Sequence, residues 1–351
     1  MPFVQTLLLL SGIFFSFASP SQAAVRLDTD PNRNFILQAD KIRVVIDARG
    51  DVTALDRLQD GQSVWSLRLP AHTFWNVAVE EMVDVSTCEL LSIQGWQDSM
   101  GAEVETVYLH PKTHLRIKVN YRVNTPESDR LRTRYVIDNL SDTARNFRIY
   151  FSTIGNLPTG PDKWLAYPYR SGQLMRSDSV QHYERPSPGH MWMQWMGYYD
   201  GPNGLLSYAE DVTGYLKFAN HWPRNGLTLS WSDAVYLAPQ ERYAIPYDYV
   251  IRPLATPDGF NDLCSAYGQW GRRQAWMASC REKMMRRPAL RQMTEEGVVK
   301  VVGIGALTVV ENAFIPFEQK EQMVSVGQSY DRILELARHL EKMYDVKPVY
   351  R

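Results

Sequence analysis

Cysteine is scarce in this 351-residue chain, with only Cys88, Cys264 and Cys280 present. One disulfide is the most they could form, leaving one thiol over, so a disulfide-stapled scaffold is excluded. Cys264 and Cys280 read as belonging to one helix, where they would stand about 24 Å apart, beyond bonding reach. Neither their spacing nor their surroundings suggest a zinc site. An excess of charge of one sign is also missing. Thirty-eight Lys and Arg against 39 Asp and Glu give a net charge of −1, with no basic surplus to neutralise a nucleic-acid backbone. The basic segment 281–291 reads as a solvated helix end.

No apolar run beyond the N-terminus approaches membrane-spanning length. There, Leu7–Phe17 is followed by Ser-Pro and the small-x-small site Ser21-Gln22-Ala23, the pattern of a secretory signal peptide over residues 1–23. The run is too short for a membrane span, which needs roughly 20 residues. The expected protein is secreted or periplasmic, with no membrane anchor after cleavage. No Walker, HExxH or G-x-S-x-G motif occurs. Gly303 and Gly305 suggest a dinucleotide fingerprint, but Thr308 stands where its third glycine belongs. No cofactor is expected.

The composition, 44% hydrophobic and 22% charged, is that of a chain able to bury a large core. From Phe35 to about Pro253 the pattern is mostly β. A hairpin is read at 41–47 and 52–58. Leu115–Val123 alternates apolar and polar residues with period two, as in an antiparallel sheet with one wetted face. Further strands are read at 132–138, 146–152, 204–210, 214–220, 227–232 and 242–251. So many strands over more than 200 residues imply a large sandwich. After Pro257 the spacing of Phe260, Leu263, Cys264, Tyr267 and Trp270 becomes helical, to about Met285. An unbroken apolar run at 298–310, an amphipathic segment at 325–343 and KPVY at 347–350 then read as strand, helix, strand. A lone βαβ unit cannot cover both faces of its strands, so the chain is expected to be a fragment or a truncated frame.

Aromatic residues concentrate at 164–200. Eight Trp and Tyr fall there: Trp164, Tyr167, Tyr169, Tyr183, Trp192, Trp195, Tyr198 and Tyr199. That is about twice the number the chain-wide aromatic share predicts. They are mixed with Pro, Gly, Arg, Gln and Asp. Flat rings cover C–H surface while fixed polar groups read hydroxyls, so the mixture suits a sugar-facing wall. The competing reading is a set of aromatic loops that seal the end of a sandwich. The expected substrate-binding residues are Trp164, Tyr167, Tyr169, Arg170, Gln194, Trp195, Tyr199 and Asp200. Gln194 is the leading polar contact, since sugar hydroxyls can satisfy both ends of an amide. Asp200 is at least as well suited to a turn. His190 is the histidine best placed for acid–base work, though a wall role is commoner. Glu210 and Asp211 are adjacent on a strand and so face opposite ways, which rules out their acting alone as a pair.

The hairpin KIRVVIDARGDVTALDRLQDGQSVW, the segments YPYRSG and MQWMGYYDGPNGLLSYAEDVTGYLK, and the helical YGQWGRRQAW carry a resemblance. They resemble secreted bacterial glycoside hydrolase-like proteins in which a galactose-mutarotase-like β-supersandwich precedes a (β/α)8 barrel. The layout is that of α-galactosidase (melibiase)-like and endo-α-N-acetylgalactosaminidase-like enzymes. The resemblance implies a mainly β fold: a large antiparallel supersandwich, a linker helix, and the first βαβ portion of an incomplete barrel. Domains are then expected at 24–257 (sandwich), 258–290 (linker helix) and 291–351 (start of the barrel). In such enzymes the catalytic carboxylates stand on later barrel strands, so none is expected here. The chain should bind an oligo- or polysaccharide and have little hydrolytic activity alone. Alternatives are a non-catalytic sugar-binding or scaffold sandwich, and, less favoured, an aldose epimerase or a polysaccharide lyase.

Overall fold

The computed structural model describes residues 25–274 except 80–81, 170–171, 189, 192 and 224–225, together with 282 and 285–287. The expected signal peptide and the segments read at 298–310, 325–343 and 347–351 lie outside the described residues. The chain divides into two compact units after Gly271, and the strands and helix named below all belong to the first.

Five strands open the fold: β1 (Arg26–Thr29), β2 (Phe35–Gln38), β3 (Ile42–Ile46), β4 (Val52–Gln59) and β5 (Gln62–Arg68). Two short ones come next, β6 (Asn76–Ala78) and β7 (Met82–Asp84). Then come β8 (Glu89–Asp98), β9 (Gly101–Leu109), β10 (Leu115–Asn124), β11 (Leu131–Asn139) and β12 (Arg145–Leu157). The aromatic block contributes β13 (Lys163–Tyr167), β14 (Gln173–Arg176), β15 (Tyr183–Ser187) and β16 (Trp195–Asp200). The remainder is β17 (Asn203–Ala209), β18 (Lys217–Pro223), β19 (Leu227–Leu237), β20 (Arg242–Ala244), β21 (Tyr249–Ala255) and the helix α1 (Phe260–Gly271).

Three antiparallel sheets result. One runs β1-β2-β3-β4-β5. The largest has ten strands in the order β14-β13-β16-β17-β21-β11-β10-β9-β8, with β20 beside β11. The third runs β15-β18-β19-β12-β6-β7. The alternation in β10 is realised in full. Leu115, Ile117, Val119, Tyr121 and Val123 are buried, and the residues between them are half-buried. Tyr121 faces Phe74, at 5.8 Å, beside the six-stranded sheet. A side chain at Gly95 would strike Leu27 and Phe35 of the five-stranded sheet. Gly95 pairs with Val104, which pairs with Tyr121, and residues paired across strands share a face. Both smaller sheets therefore cover the same face of the ten-stranded sheet, which makes a supersandwich as the sequence implied. Its centre is aromatic, with Tyr135, Phe151, Trp231 and Tyr249 in mutual ring contact.

The opposite face of the large sheet is covered at one end by α1. Ala166, Trp195, Leu206, Tyr208 and Val250 meet Leu263, Ala266, Tyr267 and Trp270 there. The helix begins where its spacing placed it, but α1 ends at Gly271, short of Met285. The geometry that set Cys264 and Cys280 about 24 Å apart on one continuous helix is therefore not realised. Cys280 lies outside the described residues, while Cys88 and Cys264 are free thiols.

The hairpin turn between β3 and β4 is pinned from below. The hydroxyls of Tyr108 and Tyr121 donate to the carbonyls of Arg49 (2.8 Å) and Gly50 (2.9 Å). Gly50 has φ +84°, and a Cβ there would meet Tyr108 Oη at 2.3 Å and Thr106 Cγ2 at 2.5 Å. Gly50→Ala combines left-handed strain with overpacking of a buried contact. It should cost about 1–3 kcal/mol, read as a lower denaturant midpoint with unchanged m-value.

Candidate functional site

The residues expected at a sugar-facing wall do not lie on one loop cluster. Trp164, Tyr167, Trp195, Tyr199 and Asp200 are on strands, whose alternation distributes side chains over two faces of the large sheet, while Tyr169 and Gln194 lie just outside strand ends. Trp164, Ala166, Trp195, Gly197 and Tyr199 point to the α1 side, whereas Leu165, Tyr167, Met196 and Tyr198 point between the sheets. Trp195 is sealed beneath the helix, with ring contacts to Phe260 (6.2 Å) and Tyr267 (6.3 Å). Tyr199 packs on the same cluster, while Trp164, half-buried, stands beside it across the strand pair. Asp200 accepts an ion pair from Lys163 at 2.9 Å. Arg170 and Trp192 lie outside the described residues.

Gln194 is held inside a buried ionic lock. Its amide nitrogen donates to the carbonyl of Asp211, and its oxygen accepts from Lys217 Nζ at 3.1 Å. Lys217 Nζ also donates to Asp211 Oδ2 (2.6 Å) and to the carbonyl of Tyr215 (2.7 Å), and stands 4.7 Å from the centre of the Tyr247 ring. Asp211 accepts from the backbone N–H groups of Thr213, Gly214 and Tyr215 as well. Burial works to raise the Asp211 carboxyl, but Lys217 and these N–H groups outweigh it, so the group is held below its usual range. Both polar atoms of the Gln194 side chain are thus used internally. The lock fixes the 211–216 loop. Glu210, one residue away, goes to Arg132 instead (3.0 Å), so the two carboxylates serve different cations.

Tyr167 ends β13, one strand in from the edge of the ten-stranded sheet, and Tyr169 follows it toward β15 at the edge of the six-stranded sheet. Tyr167 is buried between the sheets and donates its hydroxyl to Gln173 Oε1. Tyr169 makes an isolated backbone bridge to Met191, which joins the β13 side to the turn after β15. On that turn, exposed His190 meets the Tyr169 ring edge-on at 6.0 Å. From β15, Arg185 lays its guanidinium 4.8 Å from the Tyr169 ring centre and 4.4 Å from that of Tyr183. Arg185 Nη1 donates to the Glu184 carbonyl at 3.2 Å, while its Nε is buried with no acceptor. Behind this layer, His221 contacts Tyr167 (5.1 Å) and Tyr183 (5.5 Å). Burial pushes its imidazole down to about 4, so it is neutral at physiological pH.

This edge presents half-buried aromatic faces, a guanidinium fixed between two of them, and an exposed imidazole. Such a surface can cover the C–H side of a sugar and donate to its oxygens. It has no evident acid–base pair. Among the described residues no carboxylate is paired with His190, and the nearby Glu184 is bound to Arg148. No group of three or more His, Cys, Asp or Glu among the described residues could hold a metal ion, and no described helix is long and apolar enough to cross a membrane. Arg185 escaped the sequence reading because a lone arginine in HYERPS carries no motif. The only available signal was that Tyr183 and Arg185 share a face of a strand two residues apart.

The fold defined here is a β-supersandwich with a helix on its outer face. No protein-family model matches the chain, and a search of curated proteins finds no match. Among solved structures the chain is similar to the α-N-acetylgalactosaminidase NagBb from Bifidobacterium bifidum. In its Gal-NHAc-DNJ complex the TM-score is 0.62 at 11% identity, covering 93% of this chain and 50% of that one. The ligand-free form gives 0.57 at 12%, covering 91% and 50%. An α-galactosidase from Geobacillus stearothermophilus, AgaB, gives 0.48 at 13%, covering 73% and 44%. At these identities the likeness is one of fold, and the chain spans about half the length of the structures it resembles.

Proposed function

We propose that this chain is the sandwich-bearing part of a secreted or periplasmic glycoside hydrolase-like protein, and that its sheet-edge surface binds carbohydrate. The observation that carries this reading is the Arg185 guanidinium clamped between Tyr169 and Tyr183, with His190 at the rim. The supersandwich fold, similar to that of an α-N-acetylgalactosaminidase, supports a galactose-type sugar with or without an acetamido group. Tyr169 and Tyr183 would cover its apolar face, and Arg185 would donate to a ring substituent. The carboxylates of the surrounding strands are already committed: Glu184 to Arg148, Asp200 to Lys163, Glu210 to Arg132 and Asp211 to Lys217. Bond cleavage is therefore assigned to groups outside the sandwich. A sandwich that only binds sugar remains the second reading, favoured by these same commitments.

Isothermal titration of the full chain with methyl α-N-acetylgalactosaminide tests the surface. Each of Tyr169→Ala and Arg185→Ala should weaken binding about tenfold, the worth of one aromatic or cation–π contact. Tyr236→Ala, at a 67% exposed ring elsewhere, should change nothing. Unaltered binding by folded Tyr169→Ala and Arg185→Ala would make the edge purely structural.

A further inference from the structure

One hollow of the sandwich unit has none of the residues of that edge in its lining. It is a groove of about 1150 Å³ walled by the β2–β3 and β4–β5 turns, the end of β21 and one face of α1. A hollow of about 400 Å³ continues it, sharing Asp40, Lys41, Asp129 and Gln269. Its lining mixes polar and aliphatic residues and has no aromatic ring, so it is a different kind of surface from the tyrosine edge.

Two arginines, one on β4 and one on β21, line it. Arg57, on β4, donates Nη2 to the side-chain oxygen of Asn203 at 2.7 Å and makes no ion pair among the described residues. Arg252, on β21, donates Nη2 to Asp129 (2.7 Å) and Nη1 to Gln269 (3.1 Å). The Nε of each is buried and has no acceptor. A buried N–H normally finds a partner; these two have none and are shielded from the groove, so the guanidinium groups offer it their Nη edges. Half-buried, Arg57 has only a neutral amide against its charge, and burial lowers its pKa. The carboxylates on the walls do not supply the missing acceptor. Asp129 is taken by Arg252 and Arg130, Asp262 accepts from the Asp258 backbone N–H at 2.7 Å, and Asp40 and Asp60 are exposed.

We infer that this groove is a second ligand site, built to receive an oxyanion on Arg57 and Arg252. The planar guanidinium fork matches a carboxylate or sulfate. The remaining lining, with Gln38, Gln59, Ser265 and Gln269, offers donors and acceptors for hydroxyls. The ligand class that fits both is an acidic sugar, a uronate or a sulfated residue.

The test is titration of the full chain with galacturonate, inorganic sulfate and neutral galactose at two ionic strengths. Galacturonate should bind most tightly, weaken with salt, and lose at least tenfold in Arg57→Gln. Arg57→Lys, which keeps the charge but not the fork, should lose most of that affinity too, and it serves if the glutamine variant folds poorly. Inorganic sulfate, which has no C–H face for the tyrosine edge to cover, should also lose affinity in Arg57→Gln, which separates this site from that edge. Equal affinity for sulfate and galacturonate would support the oxyanion site and assign recognition to the anion alone. Absence of oxyanion binding, or affinity unchanged in Arg57→Gln and Arg57→Lys, would overturn the proposal.

Discussion

Asp211→Asn should destabilise the sandwich unit by roughly 3–5 kcal/mol, the usual consequence of leaving a buried charge without its partner. Lys217 is fully buried, and Asp211 is its only carboxylate partner within hydrogen-bond distance among the described residues. In a domain of this size that corresponds to a melting temperature lower by about 10 °C or more. The same substitution also weakens the turn, because Asp211 Oδ1 and Oδ2 hold the N–H groups of residues 213–215. Lys217→Met alone should cost less, since it removes the charge and leaves Asp211 its three backbone donors. The double variant should recover much of the Asp211→Asn loss, because a methionine in that site needs no counter-ion. If Asp211→Asn melts like the wild type, Lys217 must be neutral or hydrated, and the lock is misread.

Raising the pH from about 4 to 8 should destabilise the protein through two buried carboxyls that lack adequate partners. Asp51 is fully buried. Its Oδ2 accepts from the His72 N–H at 2.5 Å, and its Oδ1 has no partner. Burial, reinforced by Asp47, pushes it up to about 7. Asp233 receives one bond from Tyr243 (3.1 Å), its other oxygen has no partner, and burial pushes it up to about 6. A carboxyl whose folded pKa lies above its unfolded value holds its proton more tightly in the native state. Its contribution is therefore complete below about pH 4 and is lost as pH rises through about 6 for Asp233 and about 7 for Asp51. Each contributes on the order of 2–4 kcal/mol between the extremes. Asp211, Asp129 and Asp138 are held below their ordinary range by cations and act oppositely, losing stability as the pH falls through their folded values. His221, held down to about 4 by burial, also opposes the loss by adding stability as the pH rises from about 4 to its unfolded value, so the two aspartate variants, not the net profile, isolate the carboxyl contribution. Asp51→Asn and Asp233→Asn should each raise the melting temperature at pH 8 and flatten the alkaline side of the profile. A profile unchanged by both would mean that water or rearrangement satisfies these groups.

Much of the fold was legible because its strands have one buried face. The period-two pattern of Leu115–Val123 matches β10, and the reading at 132–138 falls within β11. Where reading and structure part, a local competitor is visible. The strand read at 214–220 begins at Lys217 instead, because Asp211 captures the N–H groups of 213–215. The strand read at 242–251 divides into β20 and β21 on either side of a segment that contains Pro246, which cannot donate to a ladder. The aromatic block looked like loops because Pro and Gly interrupt it. Within it, short stretches such as Trp164–Tyr167 still alternate faces and pair as strands.

The candidate site was legible by composition but not by partnership. An excess of Trp and Tyr drew attention to the segment that also carries the proposed surface, yet nothing in the sequence distinguishes Trp195, sealed under α1, from Tyr169 at the open edge. Gln194 looked like a pocket amide because its partners, Asp211 and Lys217, lie 17 and 23 residues away. Arg185 and Arg57 gain their significance only from rings and acceptors brought in by other strands.

Hydrogen–deuterium exchange of the full chain, with and without methyl α-N-acetylgalactosaminide at saturation, tests the central claim most directly. The account predicts added protection in peptides spanning 167–169 and 183–191, with α1 and the 211–217 loop unchanged. Protection confined to α1 and its facing strands, or absent from 183–191 while the sugar binds, would contradict it.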